Sequence, residues 1–413
     1  MSEWKDCKLG DICSKVTSGG TPNTRKNEYY GGEIPWVRTQ EVNFNRIYDA
    51  EIKITGEGLN NSSAKWIPEN SVIIAMYGAT AGKVAINKIP VTTNQACCNL
   101  IINKNTADYR FIYYNILSRF SSIANMAVGG AQQNLNAGMI KDLPIFLPDL
   151  PTQNAIAEIL TSLDDKIELN NKINQELENL AQTLFKQWFI DFEFPNEKGE
   201  PYKSSGGEMV NSELGEIPKG WRVYSMDELL ETVSKTYPLK KVNEVVFLNT
   251  GDIQNGKFLH KNFSNPENLP GQAKKSISQN DILYSEIRPA NKRFAYVYFD
   301  SSQYVVSTKL MVLRSKVEIN SLFQYFYLTQ QESINHLQHL AEARSGTFPQ
   351  ITFSEVSTLK IALPDFDLVN TFVEIALKPY YDNQFQIKEE NESLIALRDT
   401  LLPKLISGEL EIN

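Results

Sequence analysis

Most of this 413-residue chain is written twice. The run WKDCKLGDICSKVTSGGTP from Trp4 resembles WRVYSMDELLETVSKTYP from Trp221, and WVRTQEV (36–42) matches FLNTGDI (247–253). Likewise IPENSVIIAMYG from Ile67 matches ISQNDILYSEIR from Ile277, and DLPIFLPD ending at Asp149 matches TLKIALPD ending at Asp365. The offset drifts only between 210 and 217 residues, so any fold must be assembled from two related units in tandem. Each copy carries short β-rich runs such as VVFLN, AYVYF and KLMVL between Gly, Asn and Pro turns. A helical stretch begins just after each LPD. The reading is α+β: globular heads with a twisted β-sheet at 1–150 and 212–364, helical segments at 151–194 and 365–413, and a linker at 195–211.

One run inside the first head, MYGATAGKVAIN (76–87), looks like a phosphate-binding loop. Such a loop needs four residues between its glycines and a Ser or Thr after the Lys. Gly78 and Gly82 enclose only three residues, and Val84 follows Lys83. Two strands, VIIAMYG and KVAI, around a Gly-rich turn fit better. The second copy aligns Lys83 with Arg293 and keeps neither glycine, which suggests that the second head lacks this turn. A basic residue at a strand start, shared by both copies, suits an anion along a surface.

The helical segments carry apolar seams. In the second, Tyr380, Asn383, Ile387, Glu390, Leu394, Leu397, Leu401 and Leu405 recur at spacings of three and four. In the first, Ile156, Leu160, Leu163, Ile167, Asn170, Ile173, Leu177, Leu180 and Leu184 do so with one slip. Each helix could pack only on its own head, but polar residues breaking both seams favour mutual pairing as a coiled coil. If the first helix leads from head one to head two, the second leads back, so the pair is antiparallel and separates the heads. The aromatic run LFKQWFIDFEF (184–194) is expected to cap the first helix against its own head rather than to dock a partner.

The net charge of −8 argues against a nucleic-acid partner until it is counted by segment. Residues 1–150 hold 15 basic against 13 acidic side chains, and residues 211–364 hold 17 against 15. The acidity belongs to residues 151–210, with 5 against 11, and 365–413, with 4 against 10. The heads are slightly basic and the spacer is acidic. Cys7, Cys13, Cys97 and Cys98 lie far from His260, His336 and His339, without the short paired spacings of a zinc site, so reduced core thiols and no metal are expected. The first residues hold no apolar signal segment and no run reaches eighteen apolar residues, which predicts a cytoplasmic protein that does not touch membrane.

Polar turns in the heads supply candidate contacts. Arg, Asn and Gln can make the bidentate contacts that distinguish guanine and adenine in the major groove. VRTQEVNFNR offers Arg38, Thr39, Gln40, Asn43, Asn45 and Arg46, and GGAQQNLN offers Gln132, Gln133 and Asn134. In the second head LNTGDIQNGK offers Asn249 and Thr250, EIRPANKR offers Arg288, Lys292 and Arg293, and SGTFPQ offers Thr347 and Gln350. Lys83 and Arg293, shared between heads that differ elsewhere, are expected on phosphate.

GATAGKVAI, GGAQQNLN, LGEIPKGW and the long run DLPIFLPDLPTQNAIAEILTSLDDKIELNNKINQELENLAQTLFKQWFIDFEF together resemble the specificity (S) subunits of Type I restriction–modification systems. The resemblance spans essentially the whole chain. It implies two target recognition domains, each reading one half of a split, asymmetric sequence in double-stranded DNA. It also implies that the helices hold the heads a fixed distance apart and dock two modification (DNA methyltransferase) subunits. Those partners, and restriction subunits with motors, would use S-adenosylmethionine, ATP and Mg; this chain would bind no cofactor. No (D/N)PP(Y/F) loop, Gly-rich cofactor turn or Ser/His/Asp order stands out, which fits a non-catalytic subunit. A self-contained DNA-modifying enzyme with an unrecognised site and a paired-head regulator without enzyme partners stay open at this point.

Overall fold

The computed structural model describes residues 4–128 and 134–411. They divide into two compact units, one of residues 4–128, 134–171 and 389–411 and one of residues 172–388.

In the first unit the strand Val72–Ala75 is wholly buried. Its side chains alternate between two cores: Val72 and Ile74 face one apolar cluster, Ile73 and Ala75 the other. A continuous apolar run is what a strand covered on both faces requires. It lies third in a five-stranded sheet ordered Cys13–Ser18, Cys97–Ile102, Val72–Ala75, Val84–Asn87, Asn45–Ile47. Phe111 and Ile112 of helix Tyr109–Ser118 pack into the first cluster, as do Ile156, Ala157 and Leu160 from the long helix Leu150–Phe189. A second, small sheet joins Lys53–Ile54, Tyr30–Val37 and Thr92–Thr93.

The second unit repeats this plan. Ile282–Ser285 lies between Leu310–Ser315 and Phe294–Tyr296, with Leu230–Thr232 at the edge. Ile282 and Tyr284 face one core and Leu283 the other. The repeat extends to single hydrogen bonds. Asn70 and Asn280, at φ 61° and 70°, each donate their backbone N–H across the hairpin at 2.7 Å, to the carbonyls of Asn87 and Val297. Leu9 N–H reaches the Leu143 carbonyl as Met226 N–H reaches that of Leu359. The strand pairs Lys5–Lys8 with Pro144–Leu147 and Arg222–Ser225 with Lys360–Leu363 are equivalent too. The predicted tandem repeat and the hairpin around residues 76–83 are both present.

Within each unit the helical stretches run antiparallel. In the first, Asn170 Nδ2 donates to Asn391 Oδ1 (2.9 Å) and Glu390 Oε2 (2.8 Å), and Asn391 Nδ2 donates to Asn171 Oδ1 (3.1 Å). Further along, Arg398 Nη1 pairs with Asp164 Oδ1 at 2.8 Å, while Tyr114 Oη donates to Asp164 Oδ2 at 2.6 Å. Burial raises the Tyr114 hydroxyl's pKa, and the Asp164 carboxylate pushes the same way, so the phenol stays the donor. Leu402, Leu405 and Ile406 complete the core beneath Ile156 and Leu160.

In the second unit the apolar face is shifted by one position from the expected seam. Leu180 is 54% exposed, whereas Ala181, Phe185 and Phe189 are buried. The shift follows from what this face meets: Phe185 lies 4.9 Å from Phe323 and Phe189 lies 4.9 Å from Phe372. Aromatic rings, with the larger area to remove from water, therefore set the rotation instead of Leu180. The aromatic run is structural, but it packs on residues of the second copy, not on the first head as expected. The equivalent tryptophans show how helix ends are received. Trp221 stacks on Phe194 at 5.0 Å in the second unit, and in the first Trp4 stacks on Phe146 at 5.3 Å with Gly408 against its indole.

Asn170 is 1% exposed and Asn391 8%, so removing Asn170 leaves the buried Asn391 Oδ1 without its donor. Asn170→Ala is expected to cost about 1–3 kcal/mol, whereas replacing both Asn170 and Asn391 with Leu is neutral or stabilising. Chemical denaturation of the three proteins checks this, and a double variant less stable than the single one contradicts it.

Candidate nucleic-acid interface

Three polar segments converge in each head because main-chain hydrogen bonds tie them to the same strands. In the first head the turn after Tyr30–Val37 returns through Phe44, whose N–H donates to the Val84 carbonyl (2.9 Å). The turn 76–83 closes through Ala75 N–H to the Lys83 carbonyl (2.9 Å). The segment after residue 133 rejoins through Leu135 N–H to the Met76 carbonyl (3.0 Å). The second head makes the same three ties: Gly256 N–H to Phe294 (2.9 Å), Ser285 N–H to Arg293 (2.9 Å) and Ile351 N–H to Glu286 (2.8 Å). Lys83 and Arg293 therefore occupy equivalent backbone positions.

The turn at 76–83 is kept in the second head, contrary to the expectation from its missing glycines. A 3-10 turn at Gly78–Thr80 corresponds to one at Pro289–Asn291. Gly78 and Gly82 have φ of 72° and 85°; Arg288 and Lys292, which replace them, have φ of 44° and 52°. Left-handed backbone costs a residue with a Cβ about 1–2 kcal/mol that glycine avoids. Two basic residues thus hold a strained backbone at the two ends of this turn, a pattern associated with functional positions.

The proposed contacts differ in how they are held. Lys83 Nζ donates to Asn43 Oδ1 at 2.7 Å and sits 5.7 Å from the centre of the Phe44 ring, bringing two of them together. Arg38 is held by Glu51 (2.6 Å) and, more distantly, Glu41 (3.9 Å). With its carboxamide oxygen turned inward, exposed Gln40 accepts from Arg38 Nη1 (3.0 Å) and Nη2 (2.7 Å). Thr39 is half-buried in the same turn. Gln132 and Gln133 lie outside the described residues, and Asn134, next to them, is exposed.

In the second head Arg288 joins Thr347 and Gln350. Its N–H donates to the Pro349 carbonyl (3.1 Å), Nη2 reaches the Thr347 carbonyl (3.4 Å), and Ile287 bridges Gln350. Asn249 and Thr250 are held differently. Asn249 Oδ1 accepts from the Thr250 N–H (2.8 Å) to cap a turn, and Thr250 is 6% exposed.

Arg46, offered by the sequence as a polar loop residue, faces the long helix instead. It pairs with Asp165 and, at 3.4 Å, with Glu168, and Tyr48 Oη donates to Glu168 at 2.9 Å. Those carboxylates outweigh the burial of its guanidinium and hold it charged. Cys13 and Cys98 are pushed up to about 12 by burial, which leaves them protonated and unreactive. Among the described residues no group of three His, Cys, Asp or Glu could hold a metal ion, and no helix is long and apolar enough to cross a membrane.

The family model described as the Type I restriction modification DNA specificity domain matches residues 1–179 and 218–394. The chain belongs to that family. It is 28% identical over 423 residues to the MjaIX Type I restriction enzyme specificity subunit of Methanocaldococcus jannaschii, covering 99% of this chain and 94% of that one. To the HindI specificity subunit of Haemophilus influenzae it is 44% identical over 156 residues, 38% of this chain and 34% of that one. The fold is that of the crystal structure of the Type I restriction–modification S subunit from M. genitalium. The TM-score is 0.60 at 15% identity, over 100% of this chain and 97% of that one.

Gly82 has a second constraint besides its φ, since a Cβ there would meet Ala124 N at 3.1 Å. Gly82→Ala is expected to destabilise the fold by about 1–2 kcal/mol, while Lys292→Gly changes stability by less than about 1 kcal/mol in either direction. Thermal unfolding of both variants checks the difference; equal losses would contradict the strain assigned to this turn.

Proposed function

We propose that this chain is the non-catalytic DNA-binding subunit of a Type I complex, each head reading one half of a bipartite, asymmetric target in double-stranded DNA. The observation that carries the reading is the contrast within the repeat. The two heads match in their main-chain ties, yet the side chains on the tied segments differ: GATAGK stands against RPANKR, and VRTQEV against LNTGDI. A shared frame with different polar tips is what two readers of different half-sites need.

In this account residues 1–150 and 212–364 are the target recognition domains, and the paired helices of 151–194 and 365–413 are the seat of two DNA methyltransferase subunits. Those subunits bind S-adenosylmethionine, and restriction subunits with ATP and Mg complete the complex in the cytoplasm. Gln40 faces a base edge and Arg38 orients its carboxamide. Asn43, Lys83, Gln132, Gln133 and Asn134 act with them in the first head, with Lys83 on phosphate. In the second head Arg288, Lys292, Arg293, Thr347 and Gln350 line the contact, with Asn249 and Thr250 shaping the turn beside them.

Gln40→Ala and Arg38→Ala are each expected to cost about 1–3 kcal/mol of specific binding and to relax one half-site only. Lys83→Ala weakens binding evenly across sequences and lowers the salt slope by about one. Methylome sequencing and binding titrations over a salt series read these effects. Relaxation of both half-sites together, or a changed target with an unchanged salt slope, contradicts the assignment.

A further inference from the structure

Phe348 is 72% exposed, more than any other large apolar side chain among the described residues. A single exposed apolar residue is ordinary on a protein surface. Phe348 differs because the chain on both sides of it is anchored. Its own N–H donates to Ser345 Oγ at 3.2 Å. The carbonyls of Thr347 and Pro349 accept from Arg288, and Pro349 and Ile351 are buried. The ring is therefore presented by a loop fixed to the strained turn at Arg288 rather than left on a free end.

The ungapped match of SGTFPQI to GGAQQNL, set by the equivalent ties of Ile351 and Leu135, aligns Phe348 with Gln132. The second head thus carries an aromatic ring where the first carries a carboxamide. Arg288, Thr347 and Gln350, residue types suited to base edges in the major groove, are drawn together by main-chain contacts, and Phe348 among them matches the one apolar feature of that groove. That feature is the thymine methyl.

We infer that Phe348 reads the 5-methyl group of a thymine in the half-site of the second head. The inference rests on the reading of this chain as a DNA-specificity subunit. It adds an apolar contact to a site otherwise described by hydrogen bonds and charge. A wedge inserted between base pairs would instead enter from the minor groove and kink the duplex.

The test uses the full chain assembled with its methyltransferase partners and the target defined by methylome sequencing. Each thymine of the second half-site is replaced in turn by deoxyuridine, which lacks only the methyl group. At one position the wild-type complex is expected to bind roughly fourfold more weakly, the effect of removing one buried methyl. Phe348→Ala should bind both DNAs equally at that position, and Phe348→Leu should keep part of the discrimination. Uridine scanning of the first half-site should give the same profile for all three proteins.

A second half-site without an A·T pair overturns the proposal. So does a profile in which no uridine weakens the wild-type complex, or a Phe348→Ala loss that is equal on thymine and uridine DNA and accompanied by a lost bend. Failure of the wild-type complex to bind any defined target would instead overturn the reading of the chain as a specificity subunit.

Discussion

The structure depends on main-chain hydrogen bonds that fasten variable segments to a buried strand. Met76 and Glu286 each lie at the end of such a strand, and each offers its carbonyl to a returning segment, at Leu135 and Ile351. A backbone bond makes no demand on side-chain identity. The strands beneath are held by two-sided apolar burial, so the segments above can change their side chains without loss of register. This explains how one architecture can occur twice in a chain while its polar tips diverge.

The helices answer a different requirement. A purely apolar seam tolerates slippage, whereas the buried carboxamide of Asn170 meets that of Asn391, which donates in turn to Asn171, in one alignment only. Neighbouring charges reinforce that alignment: Arg398 with Asp164, and Lys166 with Glu390 at 3.4 Å. The exposed Lys166 pair adds little energy, and the half-buried Arg398 pair more. In the second unit rings do this work, with Phe185, Phe189 and Phe372 interlocked. The acidic surplus of the chain lies in these helical segments, whereas the heads are weakly basic.

Much of this was legible in the sequence because it is carried by patterns. The repeat, the hairpin at 72–87 and the equivalence of Lys83 with Arg293 follow from matching runs at a nearly constant offset. What could not be read depends on tertiary partners or on backbone angles. The exposure of Leu180 is decided by rings more than a hundred residues away. Arg46 looked like a loop residue because Asp165 and Glu168, which claim it, are also far along the chain. The loss of both glycines suggested a lost turn, since sequence alone does not show that Arg288 and Lys292 adopt left-handed angles. Phe348 carries no sequence signal that separates it from a core ring, because aromatic residues are more often buried.

The central claim is that three tied segments in each head carry its share of the specificity. The direct measurement is to replace residues 249–255, 286–293 and 345–350 with residues 38–44, 76–83 and 129–134, and to sequence the methylome of a host expressing the chimera with its partner subunits. The account predicts that the second half-site becomes a copy of the first and that the first half-site is unchanged. A target left unaltered in both halves, or altered in both, would contradict it.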